Sequence, residues 1–238
     1  MTRDEVFKAT GPTVSSSMDV KIGMTKDGII TAGEAHLRYQ GGAFPNGTVE
    51  MGAQSAFAAY DLKAVRTKGW NVLTNRPKQA AYRAPGAPQA IYAVESVIDE
   101  LCQELNLDPL DIRKKNAAKK GTLSSYGPTF NDIGLLATLE AAKNHPHYSA
   151  PLKPNQGRGL SCGFWFNFGG NTCVSLNVNF DGTISVTEGN PDIGGSRASI
   201  SQMAAEEIGV PFEKVRTIIA DTNSLGHNEV TDGSRVTF

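Results

Sequence analysis

Three short glycine-containing turns carry the residue types that can hold an anion. The first, Ala81-Tyr-Arg-Ala-Pro-Gly-Ala-Pro-Gln89, runs into a stretch with helical periodicity. The second, Asn190-Pro-Asp-Ile-Gly-Gly-Ser-Arg197, does the same, and the third is Thr231-Asp-Gly-Ser-Arg235. Glycine lets the backbone turn sharply and approach a ligand closely. Free N–H groups at a helix start, with the helix dipole, then favour a negative partner. Arg83, Arg197 and Arg235 would add charge-assisted or bidentate donors. Against this, Gly and Ser ahead of a helix are more often a plain cap. Spacing alone does not bring the three turns to one site.

The remaining chemistry-bearing residues fit structural duties better. His36, His145, His147 and His227 are scattered, and His145 and His147 flank Pro146 in a stretch suited to solvent. Asp99 and Glu100 fall on the polar face of the long helix, where solvation is expected. Phe164, Trp165, Phe166 and Phe168 could line a pocket, but aromatics clustered in a strand more often pack. Cys102, Cys162 and Cys173 are odd in number and widely spaced. They form neither a disulfide framework nor a CxxC metal site, and point to reduced, buried thiols in the cytoplasm. No GxSxG elbow, HExxH helix, Walker loop or GxGxxG follows a strand, so no motif supplies a general base or a metal site.

The elements that must position the turns are legible from periodicity. Asp19–Met24, the turn Lys26-Asp27-Gly28 and the run from Ile29 read as a β-hairpin, closed by the loop 41–47. A helical turn is expected over 54–60, and a strand over 65–73. Apolar positions Ala90, Ile91, Val94, Val97, Ile98, Leu101 and Leu105 predict a helix over 88–105. Asp108 should cap a second helix running to about Ala117, and 135–143 a third. Three prolines within 145–157 mark a linker and a domain boundary near residue 150. Beyond it, strands are expected over 159–168 and 173–180, the latter turning at Asp181-Gly182 into 183–187. A helix over 196–208 and a strand over 215–220 follow. This mixed order gives the α+β class, with mixed sheets and packed helices.

Composition removes several classes of function. The 238 residues carry 23 Lys plus Arg against 24 Asp plus Glu, so the basic excess of a nucleic-acid binder is absent. No run approaches the ~18 apolar residues that would span a membrane. The chain closes on Val236-Thr-Phe238 without a turn signal, so an excised piece of a longer protein is expected. A domain divided within a sheet would expose apolar surface, and a homodimer is one way of covering it.

The segment Ala80 to Glu100, centred on Tyr82-Arg83-Ala84-Pro85-Gly86, resembles the molybdopterin-binding large subunit of the xanthine dehydrogenase and aldehyde oxidase family of molybdenum hydroxylases. Asp108-Pro-Leu-Asp-Ile-Arg-Lys-Lys-Asn116 is similar to that family's Pro-x-x-x-Arg-x-Lys-Asn stretch. Gly189–Ser196 and Thr231–Arg235 are similar to its later glycine-rich cofactor loops, so the likeness covers nearly the whole chain. The resemblance implies a molybdopterin cofactor, in its dinucleotide form, and hydroxylation of an aldehyde or N-heterocycle carbon with oxygen from water. It further implies partner domains or subunits carrying iron–sulfur clusters and FAD. Arg83 would be the catalytic residue, steadying charge on a small-molecule substrate. Tyr82, Arg83, Ala84, Gly194, Gly195, Ser196, Thr231, Gly233 and Ser234 would contact the cofactor, several through backbone groups.

By the same resemblance, residues 1–150 correspond to the C-terminal part of a first molybdenum-binding domain, and 151–238 to the N-terminal part of a second. One loop departs from the family: Ile193-Gly194-Gly195-Ser196 stands where Gly-Gln-Gly is usual, without the glutamine. The family's Gly-Gly-Gly-Phe-Gly-Gly loop and its Gly-x-Gly-Glu general base have no counterpart, so the isolated chain is expected to be inactive. Two other readings stand beside this one: a non-catalytic scaffold or assembly protein retaining the fold, and an unrelated phosphate-binding α+β enzyme.

Overall fold

The computed structural model describes residues 1–45, 47–219 and 221–237. Asn46, Ala220 and Phe238, which belong to the expected loop 41–47, the strand 215–220 and the C-terminal run, lie outside the described residues. The chain divides into two compact units, Met1–Trp165 and Phe166–Phe238.

In unit 1, α1 (Arg3–Ala9) is capped by Thr2, whose side chain accepts from the Glu5 N–H while Glu5 reaches back to the Thr2 N–H. That capping box is the signal Thr-x-x-Glu, which sequence analysis passed over. Strand β1 (Ser16–Met24) pairs antiparallel with β2 (Ile30–Gly42). The hairpin turns at Gly28, whose φ of +84° is open to glycine. Along β2, Ala35, Leu37 and Tyr39 are buried and Glu34, His36 and Arg38 alternate outward. After α2 (Val49–Ser55) the chain returns as β3 (Val65–Leu73), parallel to β2. The helix therefore begins ahead of the expected 54–60, overlaps it at Gln54 and Ser55, and continues as turns to Tyr60.

Helix α3 (Ala87–Leu105) lays Ala90, Val94, Ile98 and Cys102 on the sheet, all four buried. Their four-residue spacing makes one stripe. It ends at Asn106, which is left-handed at φ 52°. Asp108 caps α4 (Pro109–Asn116) by accepting from Leu110 and Asp111 N–H groups at 2.9 Å. Helices α5 (Leu135–Asn144) and α6 (Pro146–Ser149) follow, and Tyr148 donates to Asp108 at 2.9 Å.

A buried ionic knot ties these parts together. Glu95 on α3 accepts from Arg113 Nε at 2.8 Å, from the Cys162 N–H at 2.8 Å, and from the Tyr60 hydroxyl. The second fork of Arg113 reaches Asp99 at 2.8 Å, so Asp99 is an ion-pair partner and not merely a solvated charge. Burial, with Glu95 nearby, pushes the Cys162 thiol up to about 11. Residues 159–168, expected as a strand, form none. This stretch is held instead by the Cys162–Glu95 bond and by Phe164, whose ring lies 5.5 Å from Tyr126 and 5.7 Å from Phe130.

Unit 2 follows a similar path. Strand β4 (Val174–Val178) turns at Asp181-Gly182 into antiparallel β5 (Ile184–Glu188). Asp181 accepts from the Thr183 N–H at 2.9 Å, fixing the turn. Helix α7 (Ser196–Ile208) ends at Gly209 (φ +79°) and leads to β6 (Val215–Ile219), parallel to β5. The core is Ile184, Val186, Val215 and Ala205. Among the described residues, no helix in either unit is long and apolar enough to cross a membrane.

Candidate functional site

In unit 1 the first glycine turn folds as irregular chain followed by an αL pair of turns. Ala84 has φ 53° and Gly86 φ +81°, and Gly86 is the N-cap of α3. A Cβ on Gly86 would meet the Thr48 carbonyl and the Tyr39 ring, so only glycine allows this approach. Tyr39 in turn donates to the Gly86 carbonyl at 2.5 Å, fixing the turn to the sheet.

Beside it lies a cavity of about 570 Å³. Tyr82, Arg83 and Ala84 line it together with Gln89 and Tyr92 from the first turns of α3. Arg83 is exposed, and its guanidinium has no hydrogen-bond or ion-pair partner among the described residues. Gln89 Oε1 is buried and also lacks a partner. Sequence reading missed Gln89 and Tyr92. Their three-residue spacing on the helix that Arg83 feeds was the available signal.

In unit 2 the second turn places Gly194 (φ +62°) and Gly195 (φ +82°) ahead of the 13-residue α7. A Cβ on Gly195 would meet nothing within 4 Å, so the backbone there faces open space. Ser196 is buried, and its hydroxyl accepts from the Ile193 N–H at 3.2 Å, closing the turn from inside. Only backbone groups of this turn remain for a ligand. Arg197, expected to add a donor, pairs instead with Asp192 at 3.2 Å. The Arg197 N–H also goes to Asp192, at 3.2 Å, so a carboxylate of the chain already occupies part of the helix start.

The third turn is packed more tightly. Gly233 (φ +54°) lies under Phe168, whose N–H donates to the Gly233 carbonyl at 3.0 Å. Ser234 is left-handed at φ 66°. Arg235 is buried and bonded to Asn190 Oδ1 at 3.1 Å, the Glu229 carbonyl at 2.8 Å and the Asn171 carbonyl at 2.9 Å. Its charge is spent inside the unit, contrary to the expectation that it would meet an anion. Thr231 lines a smaller cavity of about 370 Å³ with Asp221, His227, Asn228 and Glu229. Two carboxylates there suit a ligand edge rich in donors more than a phosphate. Asn228 Oδ1 is buried without a partner. Phe164, Trp165, Phe166 and Phe168 line neither cavity. No group of three His, Cys, Asp or Glu side chains among the described residues could hold a metal ion.

Each unit, taken by itself, presents backbone and neutral polar groups of the kind that would hold a pterin, rather than direct metal ligands. The open Gly194-Gly195 backbone offers N–H groups to a phosphate. The unpartnered amide oxygens of Gln89 and Asn228 await donors.

A family described as molybdopterin cofactor-binding domain matches residues 1–117, and a second of the same description matches 136–238. The xanthine dehydrogenase molybdenum-binding subunit of Escherichia coli O157:H7 is 30% identical over 92% of this chain and 31% of its own length. The aldehyde oxidoreductase of Megalodesulfovibrio gigas is 29% identical over 95% of this chain and 27% of its own. The solved aldehyde oxidoreductase of Desulfovibrio gigas superposes with a TM-score of 0.73 at 27% identity, covering 94% of this chain and 27% of that one. The chain thus spans about a third of the length of these relatives. With two cofactor-binding matches across most of its residues, the chain belongs to the molybdopterin-binding family of the xanthine dehydrogenases and aldehyde oxidoreductases, the molybdenum hydroxylases.

Proposed function

We propose that this chain is part of the molybdopterin-holding body of an oxidoreductase that hydroxylates a carbon of an N-heterocycle or aldehyde, with oxygen from water. The observation that carries this is Arg83, an unpaired cation on the wall of a cavity next to a glycine-capped helix start. When bound, the molybdenum–pterin group, in its dinucleotide form, supplies the redox centre. The chain's own residues hold and orient. In unit 1, Tyr82, Arg83 and Ala84 are the cofactor contacts, and Arg83 steadies negative charge that develops on the substrate. In unit 2, the contacts are Gly194, Gly195 and Ser196 through their backbone, together with Thr231, Gly233 and Ser234.

Iron–sulfur and FAD partner domains or subunits would carry electrons away. Residues 1–150 and 151–238 are assigned to successive molybdenum-binding domains. The relatives are oxidoreductases by name, which favours an enzyme over a scaffold. Three free cysteines suit the cytoplasm, with Cys102 and Cys162 buried as expected and Cys173 exposed contrary to it.

The test is Arg83→Ala in the complete protein. Turnover should fall by roughly 10²–10³, the usual effect of removing a charge-stabilising donor, while molybdenum content stays near normal. Unchanged turnover would remove Arg83 from the active site.

A further inference from the structure

Helices α2 and α3 cover the side of the unit 1 sheet that carries Ala35, Leu37 and Tyr39. Side chains alternate along a strand, and residues paired across neighbouring strands share a face. The register pairs Arg38 with Trp70, Gln40 with Val72, and His36 with both Asp19 and Lys68. Glu34 pairs with Lys21 and Arg66, so these residues make up the uncovered side. A face that only meets water would be polar throughout. Here Trp70 and Val72 are neighbours on β3 and are 43% and 41% exposed. Tryptophan is ordinarily far more buried than this. Its ring is also held in place, with the Arg38 guanidinium 5.5 Å and the His36 ring 5.6 Å from its centroid. Arg38 is itself anchored to Asp19 at 2.8 Å. A ring already fixed loses little freedom when a partner covers it, and such residues carry interface energy.

Charge describes the partner. Four cations, Lys21, Arg38, Arg66 and Lys68, share the face with two carboxylates, Asp19 and Glu34. Arg38 is matched to Asp19, and Arg66 lies 3.6 Å from Glu34. Lys21 and Lys68 are exposed and make no ion pair among the described residues. The whole chain has a net charge of −1, so this excess is local. A polyphosphate would meet Asp19 and Glu34 inside the patch. A protein surface can instead set single carboxylates against the two lysines and an apolar side chain against the ring. We infer that this face of unit 1 is a docking surface for an acidic patch on a partner protein, which covers Trp70 with an apolar side chain and pairs its carboxylates with Lys21 and Lys68.

The 238-residue chain has two tryptophans, Trp70 and Trp165, so Trp165→Phe leaves Trp70 as the reporter. That variant is titrated with a short peptide alternating glutamate and leucine, and with versions carrying glutamine or lysine in place of glutamate. The expected result is a saturable change in Trp70 emission, with the glutamate peptide binding at least about ten-fold tighter than the glutamine one. The lysine peptide should give no response. Lys21→Glu combined with Lys68→Glu, both at exposed positions, should reduce the glutamate peptide to the affinity of the glutamine one. Raising the salt from about 0.1 M to about 1 M shortens the Debye length from about 10 Å to about 3 Å, and should weaken the glutamate peptide several-fold. Equal affinity for the glutamate and glutamine peptides would overturn the inference, as would a glutamate preference that survives the double lysine variant. A Trp70 response to phosphatidylserine vesicles or to a DNA duplex, with none to the peptide, would give the patch to another polyanion and overturn it too.

Discussion

Units 1 and 2 trace the same path and cover it very differently. Each has a hairpin closed by Asp-Gly, then a helix, then a third strand parallel to the middle one. Unit 1 lays two helices over its three strands, α3 against β1 and α2 against β2 and β3. Unit 2 has α7 over β6. A helix is about 10 Å across and strands lie about 4.8 Å apart, so one helix covers two strands and leaves a third bare. Val174, Leu176 and Val178 of β4 pair with buried Glu188, Val186 and Ile184, yet remain 51%, 47% and 73% exposed. Shared topology therefore does not fix how much of a sheet is sealed; the number of helices does.

The two units also use a buried arginine differently. Arg113 in unit 1 is matched to carboxylates, whereas Arg235 in unit 2 meets carbonyls and an amide oxygen. Arg113→Ala should give the largest effect, because Glu95 would be left buried without its cation. A loss of roughly 3–5 kcal/mol is expected in urea unfolding. A loss below about 1 kcal/mol would mean that Glu95 is solvated and the contrast fails.

Arg235→Lys should cost about 2 kcal/mol, since one ammonium cannot replace a fork of donors. Hydrogen exchange should then speed up in unit 2 and leave unit 1 protected. Equal acceleration in both would erase the distinction between them.

A pH titration sharpens the picture of unit 1. Cys162 is raised by burial, then by Glu95, from an ordinary 9.0 to about 11. Below pH 9 the thiol is protonated in both folded and unfolded chains. Between pH 9 and 11 only the unfolded chain loses the proton, so stability should fall by on the order of 2 kcal/mol. Cys102, also raised by burial, adds to the loss above pH 9, and Tyr60 above pH 10. Cys162→Ala should flatten the slope between pH 9 and 10, and an unaltered slope would assign it elsewhere. The smallest effect belongs to Arg197→Ala, which removes a half-exposed pair with Asp192 and should cost less than about 1 kcal/mol.

Much of the fold was legible because its signals are local. The Asp27-Gly28 and Asp181-Gly182 turns, the stripe Ala90, Val94, Ile98 and the Asp108 cap each announce themselves within a few residues. The misses are non-local. Residues 159–168 alternate plausibly for a strand but find no neighbouring strand, and a carboxylate 67 positions away holds Cys162 instead. Arg83 was legible as a free cation because nothing in its neighbourhood competes for it. Arg197 and Arg235 have the same setting in sequence, beside Gly and Ser. Asp192, five residues back, claims the first, and carbonyls as distant as Asn171 claim the second. Spacing records a residue's type, and only tertiary contact decides whether its charge is still available.

Glu95 also sets an order of events during synthesis. Its carboxylate leaves the ribosome well ahead of two of its donors, Arg113 and then Cys162. Until Cys162 emerges, Glu95 Oε2 has the Arg113 guanidinium but not the backbone N–H that completes its set of donors. The last bond of that buried carboxylate is thus supplied by a residue far along the chain, and unit 1 is complete only once that residue has been made.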